Sequence, residues 1–143
     1  MNKLKWWFRI VGGFYLLLAL MNMYFTFSGN EQVVRDTLPF PADAIAVQAF
    51  IDGWSPFAFE ILGLATFMLW ASRDPRKYLG AVWLIVWLEL LHGVVDDIYL
   101  IARGYDAMSY IVFIVIHFII IGTGIAFARG VSTQAPVSAS AQA

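Results

Sequence analysis

Four stretches of this chain are apolar for longer than the core helix of a soluble domain requires. They run from about Trp6 to Phe27, Ala44 to Ala71, Tyr78 to Ala102 and Ala107 to Ala128. Crossing the hydrocarbon core of a bilayer takes roughly 20 apolar residues in a helix. Lipid offers no hydrogen-bond partner to an exposed peptide group, so segments of this length satisfy their backbone internally as helices. The expected fold is all-α: a four-helix transmembrane bundle with up-down topology over residues 1–130. The tail from 131 to 143, VSTQAPVSASAQA, is uncharged and low in complexity and is expected to be disordered. Composition agrees. Charged residues make up 13% and apolar residues 61%, where a soluble surface needs about 25% charged. A net charge of -1 argues against a nucleic-acid binder, which would need a basic surface. Without cysteine there is no disulfide, thiolate nucleophile or Cys-ligated metal centre.

The first stretch follows Lys3 and Lys5, as a signal peptide would. Its apolar run exceeds the ~7–15 residues of a signal core, and no A-x-A-like site follows Phe27, so it reads as a retained helix. Basic residues set the orientation. Lys3, Lys5, Arg9, Arg73, Arg76, Lys77 and Arg129 fall on one side, against Arg35 and Arg103 on the other. The positive-inside bias places both termini in the cytoplasm. Trp6, Trp7, Trp70 and Tyr78 then fall at the inner interface, and Tyr24, Trp54, Tyr99, Tyr105 and Tyr110 near the outer one. In the outer loop, Pro39 and Pro41 break helix and Asp43 is placed to cap the second span. Pro56 removes a backbone donor inside that span and is expected to kink it. Gly122, Gly124, Ala126 and Ala128 put small residues on the fourth span, where another helix can pack closely.

Ionisable groups inside a bilayer are expensive, about 2.5–3.5 kcal/mol each at its centre on insertion scales. This chain has several. On the third span Glu89, His92, Asp96, Tyr99 and Arg103 are spaced 3, 4, 3 and 4, one narrow stripe on a regular helix. That stripe is expected to face the bundle interior or a wet cavity, with Asp97 turned about a quarter of the way round. Glu60, Glu89, His92 and His117 come from three spans yet share nearly one depth, and they are expected to converge. Asp52, Asp96, Asp97 and Asn22 continue outward from that level. The layout suggests a polar cavity open to the outer face.

Three chemistries suit this set. Glu89 and His92 form an E-x-x-H pair, and with Glu60 and His117 they make a donor set for one zinc or iron ion. A single such pair falls short of the dinuclear carboxylate pattern. Buried Glu and His side by side also exchange protons near neutral pH, which suits a binding or transport-accessory protein, or an enzyme using an acid–base pair. The same groups can simply lock helices together, at about 0.6 kcal/mol per contact. No nucleotide fingerprint or nucleophile elbow is present. The partners expected are the lipid bilayer, a small apolar or aromatic ligand, and further copies of the chain in a homo-oligomer.

The segments KLKWWFRIVGGFYLLLALMN, DTLPFPADAIAVQAF, DPRKYLGAVWLIVWLELLHGVVDDIYLIARGY and FIVIHFIIIGTGI resemble the BphX-like family of small membrane proteins, named from biphenyl-degradation operons. The likeness covers Lys3 to about Gly130. It implies a bacterial inner membrane and a setting near aromatic-compound metabolism. It carries no catalytic signature, and enzyme, transporter and accessory protein all stay open.

Overall fold

The computed structural model describes residues 2–132 and is helical almost throughout, with no strand among the described residues. Six α-helices follow one another: α1 (Asn2–Phe27), α2 (Glu31–Thr37), α3 (Ala44–Ala71), α4 (Leu79–Leu88), α5 (Asp96–Ala102) and α6 (Ala107–Ser132). A π-helical segment, Glu89–Val95, joins α4 to α5 without a break. The third span is therefore one rod, Leu79–Ala102. With α1, α3 and α6 it makes four helices long and apolar enough to cross a membrane. These coincide with the four stretches read from the sequence. The helix α2 in the first loop was not anticipated, and α6 continues past Ala128 to Ser132. The remainder of the expected disordered tail lies outside the described residues.

Local chemistry explains the helix boundaries. Asp43 caps α3, its carboxylate accepting from the Ala46 N–H at 2.8 Å. Asp106 precedes α6 and accepts from the Ser109 hydroxyl and, at 3.2 Å, the Ser109 N–H. The Ser109 contacts hold its carboxyl below the usual carboxylate range. Gly104, with φ of +90°, turns the chain between α5 and α6 in a conformation that side chains disfavour. Helix α3 passes through Pro56 uninterrupted. Pro56 has no N–H for the Asp52 carbonyl, and the Ser55 hydroxyl supplies a donor at 3.0 Å instead. In the first loop Arg35 pairs with Glu31 at 2.9 Å and donates to the Ala42 carbonyl, folding α2 back towards α3.

The core is small and made of interlocked small and large residues. Leu4, Phe8, Val11, Tyr15 and Ala19 form the buried face of α1 at helical spacing. Helix α3 lies along this face and presents Ile61, Ala65, Met68 and Ala71. Gly12 lets the two backbones approach, since a Cβ there would lie 3.1 Å from that of Met68. The third span packs on α6, contributing Val82 and Ile85 against Ile120 and Ala128. The two pairs join where α1 meets α6. There the Trp7 indole lies over Gly124, and its N–H reaches the Thr123 hydroxyl at 3.1 Å and the Ile120 carbonyl at 3.3 Å. Helix α3 and the third span reach each other through rings: Phe67 and Trp70 contact Tyr78, and Phe57 contacts His92. The outward faces are apolar, with Leu17, Leu20, Leu84, Trp87, Val112, Val115 and Phe118 all exposed. Water would penalise so continuous an apolar surface; acyl chains would not.

Gly124 tests this packing. A Cβ there would sit 2.8 Å from the Trp7 ring. Gly124→Ala should destabilise by about 1–3 kcal/mol through overpacking, read as a lower thermal midpoint in detergent, whereas Gly122→Ala, with nothing within 4 Å, should be close to neutral.

Candidate functional site

At mid-span the core stops being apolar. Glu89, on the first residue of the π-helical segment, is 2% exposed. One carboxylate oxygen accepts from the Tyr15 hydroxyl of α1, and the other lies 2.5 Å from Nδ1 of His117 on α6. With Glu89 ionised, its carboxylate only accepts, and His117 Nδ1–H is then the donor. The far ring nitrogen, Nε2, is 3.5 Å from Oδ2 of Asp97, which is 7% exposed and has no hydrogen bond of its own. Tyr15, Glu89, His117 and Asp97 thus form a chain of polar groups through three spans. Two arrangements contain the same number of protons: an imidazolium between two carboxylates, or a neutral imidazole facing a protonated Asp97. Moving between them shifts one proton across the gap from Nε2 to Oδ2.

The π-helical segment makes this possible. Its wider turn delays the register, so the inward line runs Glu89, Gly93, Asp97 rather than Glu89, His92, Asp96. Gly93 is the floor on which His117 rests: a Cβ there would lie 2.5 Å from the ring. Regular 3.6-residue periodicity therefore misassigned this face. His92, Asp96, Tyr99 and Arg103 are exposed, and only Glu89 of the expected stripe is buried. Asp97, set a quarter-turn aside by the sequence reading, is turned inward.

Beside the polar chain lies a small pocket of about 80 Å³. It is lined by the apolar Leu18, Phe57, Ile61, Leu64 and Leu88 together with Tyr15, Glu60, Glu89, His92, Gly93 and His117. The four residues expected to converge therefore border one space, but only Glu89 and His117 touch. Glu60 and His92 are exposed and, among the described residues, have no hydrogen bond or ion pair. Asp52 is exposed and bonded to Gln48 at 2.7 Å, while Asn22 accepts from the Trp54 indole at 2.8 Å. Neither Asp52, Asn22, Asp96, Tyr99 nor Arg103 borders the pocket. The metal set fits poorly: among the described residues no three His, Asp or Glu side chains gather closely enough to hold an ion. Tyr15 escaped the sequence reading. Its signal was a lone hydroxyl in the middle of an apolar span, level with Glu89.

A profile of the BphX-like family matches residues 1–133. The chain belongs to the BphX-like family. An uncharacterized BphX-like protein of Burkholderia cepacia is 22% identical over 125 residues, covering 87% of this chain and 89% of its own. One of Paraburkholderia xenovorans strain LB400 matches to the same extent. No solved structure is significantly similar. The polar chain described above thus sits within the part of the molecule that the BphX-like profile covers.

A double-mutant cycle tests the central contact. Removing one partner strands the other in a dry interior, so Glu89→Leu and His117→Leu should each destabilise by about 3–5 kcal/mol. The double substitution should be less harmful than the sum of the two, by about 1 kcal/mol or more in thermal or denaturant unfolding. Strictly additive effects would show that the two side chains do not act as a pair.

Proposed function

We propose that this chain is a multi-pass protein of the bacterial inner membrane. In this reading it binds a small, largely apolar molecule in the mid-span pocket and couples that binding to a proton on the Tyr15–Glu89–His117–Asp97 chain. One observation carries the reading: the Glu89 carboxylate, buried and bordering the pocket, is held by donors from two other spans. The apolar lining suits a hydrocarbon or aromatic body, and the polar lining groups suit one hydrogen-bonding group on it. A ligand pressed against those groups alters the solvation of Glu89 and the balance of the proton between His117 and Asp97. Family membership favours an accessory role in the metabolism or transport of aromatic compounds.

The topology in this reading is up-down, with both termini in the cytoplasm and the first loop outside. Matched levels support the former: Trp7 with Thr123, Tyr15 with Glu89 and His117, Asn22 with Trp54. The distribution of Lys and Arg supports the latter. Alkaline phosphatase fused after Ala143 should be inactive and green fluorescent protein at the same place fluorescent. Active phosphatase would reverse the orientation.

Binding is tested on protein in nanodiscs with phenol and small aromatic hydrocarbons as probes, followed by ligand-observed magnetic resonance across about pH 5–8. Coupling to one proton changes the dissociation constant by up to about tenfold per pH unit. Glu89→Gln should flatten that dependence while the protein stays folded. Absence of binding at every pH would leave the polar chain as a device that locks helices.

A further inference from the structure

Glu60 and His92 pose a problem that the single chain does not solve. Both lie at the level of Glu89, in the middle of spans that a bilayer would surround, and both are exposed. Neither has a hydrogen-bond or ion-pair partner among the described residues. Their neighbours on the same surface are lipid-like: Phe59 beside Glu60, Leu91 and Val95 beside His92. A carboxylate and an imidazole facing acyl chains are among the least favourable placements a membrane protein can make, and such groups ordinarily face protein or a wet cavity. They are also a complementary pair, an acid and a base on the two walls of one cleft. Each wall belongs to a different helix pair, α3 on α1 and the third span on α6.

We infer that a second copy of this chain closes the cleft between α3 and the third span, pairing Glu60 of each copy with His92 of the other. A two-fold axis along the membrane normal leaves every residue at its own depth. Two groups at one depth on opposite walls of a cleft can therefore meet their counterparts crosswise, giving two equivalent pairs, as an isologous interface requires. Backbone space allows the approach. Gly63, one turn from Glu60, and Gly53, two turns before it, are exposed with nothing within 4 Å of the Cβ position. Small residues at such places let helices of another chain come close. The dimer would also cover the mouth of the pocket, so its two sites would face each other across the interface. This assembly is independent of whether a ligand binds: Glu89→Gln should leave it intact.

The absence of cysteine makes the test direct. Differently tagged Glu60→Cys and His92→Cys variants, co-expressed in membranes and oxidised, should give a disulfide-linked heterodimer. An Ile119→Cys pair on the exposed face of α6 should not. In nanodiscs or mild detergent, mass measurement should show a dimer. His92→Glu places two carboxylates together and should raise the dissociation constant at least about tenfold, while Glu60→His combined with His92→Glu should restore it to within about threefold. Thermal unfolding of each variant separates loss of pairing from loss of fold. The inference is overturned by a wild-type monomer at all dilutions, by absence of the mixed cross-link in folded protein, or by a dimer indifferent to both substitutions.

Discussion

A carboxylate in the middle of a helix long and apolar enough to cross a membrane must be neutralised or hydrogen-bonded, and around Glu89 that requirement organises the bundle. The α1 and α6 helices each send one polar side chain to it, so three of the four spans are pinned at one depth and one rotation. Among apolar helices in lipid there is little hydrophobic force to choose between rotations, because lipid tails are as apolar as Leu. The polar contact supplies the discrimination that apolar packing lacks. The remaining core is consistent with it: Gly12 and Gly124 admit close approach only where Met68 and Trp7 face them.

The π-helical segment is the second consequence. A straight α-helix through Glu89 would turn Asp97 away and swing His92 and Asp96 towards the interior. Widening the turn over Glu89–Val95 brings Gly93 and Asp97 into line, one to accept the imidazole face and the other to meet its far nitrogen. The same change leaves His92 on the pocket wall, exposed. The inward Asp97 and the outward His92 are thus two outcomes of one register shift. Asp97 meets His117 within the chain at 3.5 Å, whereas His92 has no hydrogen-bond or ion-pair partner among the described residues.

Small size sharpens these constraints. Much of the surface of each span is apolar and outward, so few side chains remain to specify the fold. Polar contacts provide much of that specification. The Trp7 indole meets Thr123, Asn22 meets Trp54, and the Ser55 hydroxyl meets the carbonyl freed by Pro56. Each serves a group that lipid could not.

The four spans, their approximate ends and the cap at Asp43 were legible in the sequence, because span length and apolarity follow from bilayer thickness and capping from adjacent residues. The positions of Glu60, Glu89, His92 and His117 along their spans could be counted from the sequence, and the four border one pocket. Rotation was not legible. Which face of the third span turns inward depends on helical periodicity, and that periodicity is broken where Glu89 begins a wider turn, a change with no compositional mark beyond Gly93. Tyr15 was overlooked because an aromatic residue in an apolar run reads as packing until a partner stands opposite its hydroxyl. Sequence alone determined how many long apolar spans there are and where along each span its polar groups fall. Only tertiary structure decided which of those groups touch, because contact depends on rotation and inter-axial approach, which are set by neighbouring helices rather than by the span itself.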